Sequence, residues 1–92
     1  MFSIRSEGDS MEQLMVIAFD STQQALRAEM LLEYAEVEID ICPTPKEITA
    51  GCALSIQFPR IDLERVKQII VEEMLDIRGI FEKEGAGYRQ II

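Results

Sequence analysis

An apolar run near the amino terminus constrains the fold of this chain more than any other feature. Residues 13–19, QLMVIAF, are apolar at every position except the first. A run of this length is shorter than a typical buried helix, and it is characteristic of a strand that is covered on both faces. The sequence therefore predicts a strand at the centre of a sheet, with other elements packed on both of its sides.

Two helices are predicted from capping residues and periodicity. Ser21 followed by Gln24 has the form of a capping box, and it predicts a helix that runs to about residue 35. Small and apolar residues recur along it at spacings of three and four, which gives one face for packing on a sheet. Asp62 is a favourable N-cap for a second helix, in which apolar residues repeat at helical spacing from Leu63 onward.

Two runs in the middle of the chain alternate between apolar and polar residues. Residues 37–41 and 52–58 therefore predict half-buried strands. A weaker fourth strand is predicted at residues 80–82, before glycines break the chain at residues 85–87. The order β-α-β-β-α-β predicts an α+β, ferredoxin-like fold, with a four-stranded antiparallel sheet and both helices on one of its faces.

The length of the chain predicts a single domain. We divide the sequence into a loose leader at residues 1–12, the ferredoxin-like domain at residues 13–84 and a short tail at residues 85–92. No apolar run approaches the ~20 residues of a membrane helix, and residues 1–10 lack the apolar core of a secretory signal. The expected location is the cytoplasm.

Charge and composition exclude several classes of function. The formal net charge is −8, so phosphate backbones and anionic membranes would be repelled, and neither nucleic acid nor membrane is expected as a partner. The chain has no histidine, which excludes Cys-His and Ser-His catalysis and zinc sites that contain histidine. Its two cysteines cannot complete a four-cysteine zinc site. We therefore expect no metal and no cofactor.

The segment between the second and third predicted strands is the best candidate for chemistry. Residues 42–52 read CPTPKEITAGC. Pro43 and Pro45 fix their own φ angles and favour extended backbone before them, so the chain leaves the strand stiffly. Gly51 can adopt a positive φ, which would allow a sharp turn immediately before Cys52.

A turn of this kind would place hydrogen-bond donors around the thiol. Converging backbone N–H groups form an anion-binding nest, and the ammonium of Lys46 and the hydroxyl of Thr49 could add to it. A Cys52 thiolate beside such donors would be stabilised, and it would be the acceptor in sulfur chemistry. The predicted site therefore consists of Cys52 with Lys46, Thr49, Gly51 and the two prolines.

A purely structural interpretation of both cysteines stays open. Cys52 has the same strand parity as Leu54 and Ile56, and a cysteine in that position is often a small buried hydrophobic residue. Cys42 has the opposite parity to Ile41, so it is predicted on the other face of its strand. It is a possible second thiol, but directly opposed residues in a hairpin share a face, so we predict no stable disulfide between the two cysteines.

The loop and its surroundings resemble the small bacterial proteins known as selenium/sulfur carrier-like. In that family a strand runs into Pro-Thr-Pro, a basic residue, glutamate, a stretch of small residues and a cysteine. The residues that fit are Pro43, Thr44, Pro45, Lys46, Glu47, Ile48 and Cys52. The step Arg-Ala-Glu at residues 27–29 also looks like the first helix of the family, and the resemblance covers about residues 13–82. Two positions depart from it: Ala53 stands where glycine is common, and Cys42 stands where an aliphatic residue is expected.

The resemblance implies a carrier of sulfur or selenium. Cys52 would accept the atom as a persulfide or selenopersulfide and pass it on, so the implied partners are donor and acceptor proteins. A non-catalytic ferredoxin-like binding or regulatory module, acting through a homodimer or another partner interface, is the alternative. In that case Cys52 would be buried and inert. A turnover enzyme is less favoured than either, because the chain lacks histidine and a Cys-x-x-Cys pair.

Overall fold

The computed structural model describes residues 14–85 and 87–92, so the predicted leader lies outside the described residues. Its elements, in chain order, are β1 (Leu14–Ala18), α1 (Thr22–Tyr34), β2 (Asp40–Pro43), β3 (Leu54–Pro59), α2 (Leu63–Glu72), β4 (Gly79–Glu84) and β5 (Gly87–Gln90). A single 3₁₀ turn, Arg60–Asp62, leads into α2. This part of the chain contains no helix that is long and apolar enough to cross a membrane.

The strands form one antiparallel sheet in the order β2-β3-β1-β4-β5. The prediction that the first apolar run is a central strand is confirmed, because β1 pairs with β3 on one side and β4 on the other. The α+β class, the two helices and the antiparallel pairing are also confirmed. The predicted count of four strands is wrong, since the described residues contain five.

The fifth strand was missed because its glycines indicate a break in the sequence, whereas they belong to a hairpin. Glu84 pairs with Gly87 across the turn, and Gly85 adopts a φ of +59°, which glycine reaches without steric penalty. Between β4 and β5, Arg89 donates to the buried carboxylate of Glu82 at 2.8 Å. This charge-assisted hydrogen bond ties β5 to the sheet.

The two faces of the sheet bury separate sets of side chains. Both helices pack on one face, where Met15, Ile17, Ala28, Leu32, Ile56, Phe58, Val66 and Ile80 are among the residues of one large cluster. The other face carries a smaller cluster, in which Val16 and Ala18 pack against Ile48, Phe81 and Tyr88. The alternation along β1 thus places its odd residues under the helices and its even residues on the opposite face.

The predicted start of α1 is confirmed. Ser21 is its N-cap, and its hydroxyl accepts from the N–H of Gln24 at 3.2 Å. The strand predicted at residues 37–41 begins later than expected, because Val37 still takes part in the end of α1. Its N–H donates to Leu32 O at 3.0 Å. The backbone becomes free to pair only afterwards, so β2 begins at Asp40.

Both helices end in the same motif without a glycine. After α1, Glu36 adopts a φ of +64°, and after α2, Met74 adopts a φ of +53°. In each case the next residue donates back to the helix, as Leu75 N does to Ile70 O at 3.0 Å. These are Schellman endings, in which glycine is the usual occupant of the left-handed position. The sequence contains no glycine signal there, so it does not mark these helix ends.

We expect glycine at these two positions to stabilise the fold. Met74→Gly removes the steric penalty of a side chain at positive φ, of about 1–2 kcal/mol, and part of this gain is offset by the greater freedom of glycine in the unfolded chain. The free energy of unfolding in urea should rise by about 0.5–1 kcal/mol. Gln68→Gly, in the middle of α2, is the control and should lower it by a similar amount. A loss of stability in Met74→Gly would contradict the assignment of this motif.

Candidate functional site

The segment between β2 and β3 passes from one face of the sheet to the other. Ile48 and Ala50 pack on Val16 and Ala18, on the face without helices. Two residues later, Cys52 belongs to the cluster under the helices. The chain makes this crossing beyond the end of β1, beside Asp20.

Gly51 is the residue that lets the crossing pass so close to β1. A Cβ atom on Gly51 would lie 2.6 Å from the backbone oxygen of Asp20, which is inside the range of atomic contact. The predicted reason for this glycine was wrong: among the described glycines only Gly85 has a positive φ. Gly51 is required by close approach of two backbones and not by an unusual backbone conformation.

Four hydrogen bonds and ion pairs hold the crossing against the end of β1. Gly51 N donates to Asp20 Oδ1 at 3.0 Å, and Cys52 N donates to Phe19 O at 3.0 Å. Arg78 Nε donates to Thr49 O at 3.2 Å, and its Nη1 lies 3.8 Å from Asp20 Oδ2. The position of the thiol is therefore set by the end of β1 and by Arg78, the residue that precedes β4.

The thiol of Cys52 lies at the start of α1. The residue is only 4% exposed. Its Sγ is 3.4 Å from the hydroxyl of Thr22, the first residue of α1, and it accepts from Leu54 N at 3.3 Å. The amino-terminal turn of a helix also carries free N–H groups and the positive end of its dipole. Sγ therefore lies beside one hydroxyl and one backbone N–H, both of which are able to donate a hydrogen bond to it.

Thr44 fixes the backbone on the other side of the cysteine. Its N–H donates to Ala53 O at 2.8 Å, and its hydroxyl donates to Cys52 O at 2.9 Å. The same hydroxyl lies 2.7 Å from the hydroxyl of the buried Ser55. Thr44 thus holds both ends of the loop together where β2 and β3 separate.

The residues predicted for the site do not all lie near the thiol. Gly51 adjoins Cys52, and Thr49 contributes its carbonyl to Arg78, while the hydroxyl beside Sγ is that of Thr22. Pro43 is the last residue of β2 and pairs with Leu54. Pro45 accepts from Ile48 N in a turn on the face without helices. Lys46, in the same turn, is exposed and makes none of the hydrogen bonds or ion pairs found within the described ranges.

Thr22, Asp20, Thr44 and Arg78 were not predicted as part of the site. Thr22 and Asp20 could have been found from the topology, since β1 and β3 pair antiparallel and the residues after one adjoin the residues before the other. Arg78 precedes β4, which also pairs with β1, so the same reasoning places it at this end. Thr44 lies within the motif, but no pattern in the sequence marks its hydroxyl as an anchor.

Cys42 lies on the opposite face, as its parity predicted. It pairs with Ser55 of β3, which pairs in turn with Ala18 of the smaller cluster. Both cysteines are free thiols. Burial raises the pKa of Cys42, and the carboxylate of Asp40 raises it further. The pKa of Tyr88 is raised as well, first by burial and then by the charges of Glu47 and Cys42.

The described ranges contain no cluster of three or more cysteine, aspartate or glutamate side chains that could hold a metal ion. The arrangement around Cys52 offers one sulfur atom, one hydroxyl and one backbone donor.

Comparison with known proteins identifies the family. The family described as "Putative Se/S carrier protein-like" matches residues 14–82 of the chain. The chain belongs to this family. The resemblance found in the loop and in the first helix is thereby confirmed, and the matched residues run from β1 into β4. No curated protein and no solved structure matches the chain. The name of the family suggests a role in carrying selenium or sulfur.

We expect the alkylation of Cys42 to be slow at neutral pH and to be sensitive to Asp40. Burial and the charge of Asp40 both raise the pKa of Cys42 and so disfavour its thiolate. Its alkylation should therefore become fast only above the pH at which an ordinary cysteine is half ionised. Asp40→Asn, in a Cys52→Ser background, removes the smaller cause and should speed alkylation at neutral pH by less than about tenfold. Alkylation rate against pH measures this. The control Glu33→Gln lies on α1 and should leave the alkylation rate unchanged. An unchanged rate in Asp40→Asn would refute the conclusion that Asp40 raises the pKa of Cys42.

We expect Gly51→Ala to destabilise the protein, whereas Gly87→Ala should not. The methyl group added at position 51 meets the Asp20 backbone, and the resulting displacement should lower the free energy of unfolding by about 1–3 kcal/mol. A Cβ on Gly87 meets no atom within 4 Å, so its effect should stay within about 0.5 kcal/mol. Urea unfolding of the two variants makes the comparison, and equal stabilities would show that the close approach is not required.

Proposed function

We propose that this protein carries sulfur or selenium on Cys52, as a persulfide or selenopersulfide. The observation that carries the proposal is the position of the Cys52 Sγ between the Thr22 hydroxyl and the Leu54 N–H, in a chain of the Se/S carrier family. The partners are then a donor and an acceptor protein. Turnover of a substrate is not part of this role.

The transfer needs no redox partner. The Cys52 thiolate attacks the terminal sulfur of a donor persulfide, R–S–SH. A bond forms between Sγ and that sulfur, the S–S bond of the donor breaks, and the donor leaves as the thiolate R–S⁻. Attack by an acceptor thiolate on the terminal sulfur reverses these steps and regenerates Cys52. A donor with terminal selenium reacts in the same way and leaves a selenopersulfide.

Thr22 and Leu54 have different parts in this proposal. The Leu54 N–H donates to Sγ in either protonation state of the sulfur, because a backbone N–H can act only as a donor. The Thr22 hydroxyl rotates: it accepts from the thiol and donates to the thiolate or to a bound sulfur. The pair thus stabilises the anion that forms when the acceptor removes the cargo.

The burial of Cys52 bears on both hypotheses. A terminal sulfur held under the helices is shielded from bulk water, which suits a carrier that must not lose its cargo. Loading requires the crossing segment to move, and that segment is anchored largely through the exposed side chains of Asp20 and Arg78. The same burial favours the alternative, a binding or regulatory module in which this thiol is only core.

Further parts of the proposal rest on the order of elements and on composition. The first four strands, with α1 and α2 on one face, form a ferredoxin-like βαββαβ unit to which β5 is added at one edge. The division into leader, domain and tail at residues 1–12, 13–84 and 85–92 stays a prediction. We propose a cytoplasmic location, because free thiols persist in reducing compartments.

The decisive test loads the folded protein with inorganic polysulfide or, separately, with glutathione perselenide. Intact-mass spectrometry before and after treatment with a thiol reductant counts the labile atoms. Wild type and Cys42→Ser should each gain a labile sulfur or selenium that Cys52→Ser does not gain. Thr22→Val should lose its cargo faster than Thr22→Ser, which keeps the hydroxyl.

Two results would end the carrier proposal. One is a Cys52→Ser variant that still holds labile sulfur. The other is a Cys52 that remains unmodified in the folded wild type until the whole protein unfolds, which would leave the binding module as the better account.

A further inference from the structure

The outer face of the helix layer is unusually apolar. Six large apolar residues on the helices and their ends are between 52% and 89% exposed: Leu26, Met30, Tyr34, Ile61, Val71 and Met74. The first three lie four residues apart along α1, so they form one stripe that points away from the sheet. Isolated exposed apolar residues are ordinary, but a continuous apolar stripe such as the one on α1 is typical of an interaction surface.

The helix layer as a whole is strongly acidic. Residues 22–36 and 61–76 contain eight carboxylates and only three basic side chains. Each basic side chain is engaged within the layer: Arg27 with Glu73 at 3.8 Å, Lys67 with Glu64 at 3.8 Å, and Arg65 with Ala35 O at 2.9 Å. The helix layer therefore presents apolar side chains and negative charge to a partner, because its three basic side chains already bind groups within the layer.

We propose that this face docks a protein surface that is both apolar and basic. Apolar contacts with the stripe of Leu26, Met30 and Tyr34 would supply the buried area, and basic side chains on the partner would meet Glu29 and Glu33, which lie along α1 beside the stripe. Charge complementarity of this kind selects the partner and speeds its approach. A second copy of this chain does not fit, because it would bring the same excess of carboxylates to the interface.

The location of the stripe connects it to the thiol. Leu26 lies about one helical turn after Thr22, whose hydroxyl contacts the Cys52 Sγ. A partner on the stripe would therefore lie at the end of the helix layer where sulfur would enter or leave. This connection rests on the proposed function, whereas the docking face itself does not.

The test is a titration of ¹⁵N-labelled protein with three synthetic helical peptides, followed by NMR. One peptide is an amphipathic helix of leucine and lysine, the second replaces lysine with glutamate, and the third replaces leucine with serine. The leucine–lysine peptide should bind at least about tenfold more tightly than either of the others. Its affinity should fall with added salt, and the amides that shift should belong to α1 and α2.

Matched variants separate this face from the rest of the acidic surface. Met30→Gln and the pair Glu29→Gln with Glu33→Gln should each weaken binding of the leucine–lysine peptide by about fivefold or more. Ile41→Gln and Glu84→Gln make the same kinds of change on β2 and β4, and they should leave the affinity for the leucine–lysine peptide unchanged.

Three outcomes would overturn the proposal. They are shifts centred on β2 or β5, equal binding of the leucine–lysine and serine–lysine peptides, and self-association of the labelled protein through α1 in the absence of peptide. None of these readouts uses Cys52, so failure here leaves the carrier proposal standing, and failure of sulfur loading leaves this one standing.

Discussion

The architecture of the site depends on the contact between Gly51 and the backbone of Asp20. This is the point where the chain crosses from one face of the sheet to the other, and it can pass so near to β1 only without a side chain. The crossing puts Ile48 over the smaller cluster and Cys52 under the helices. The burial of Ile48 on one face and of Cys52 on the other, and the contact between the thiol and Thr22, therefore depend on one close approach of two backbones.

Much of the fold was predictable because periodicity reports burial directly. The continuous apolar run located the central strand, the capping box located the start of α1, and parity placed Cys42 on its correct face. Two kinds of feature were missed: backbone geometry that residue type does not reveal, and a contact from a distant part of the chain. Glycines that suggested a break form a hairpin turn, and glutamate and methionine occupy left-handed positions that glycine usually fills. The hydroxyl beside the thiol comes from a residue thirty positions away, so local patterns could not supply it.

The two cysteines illustrate how surroundings decide the role of identical side chains. Cys42 lies on the face of the sheet without helices, where burial and then the carboxylate of Asp40 raise its pKa. Cys52 lies between a hydroxyl and an amide at the start of a helix. A sulfur carrier with two reactive thiols would lose its cargo to the second one. In the proposed carrier, the position of Cys42 on the opposite face of the sheet would keep the second thiol away from a sulfur atom on Cys52.

The short edge strand β2 affects the tendency of the protein to aggregate in a crowded solution. It is four residues long, it begins with the charge of Asp40, and it ends with Pro43, which has no N–H to offer. Exposed strand edges are templates on which other chains can add and from which fibres grow, and short length, charge and proline all obstruct such addition. The proline that gives the loop its stiffness therefore also terminates the sheet. A change there that spared the thiol could still lead to aggregation.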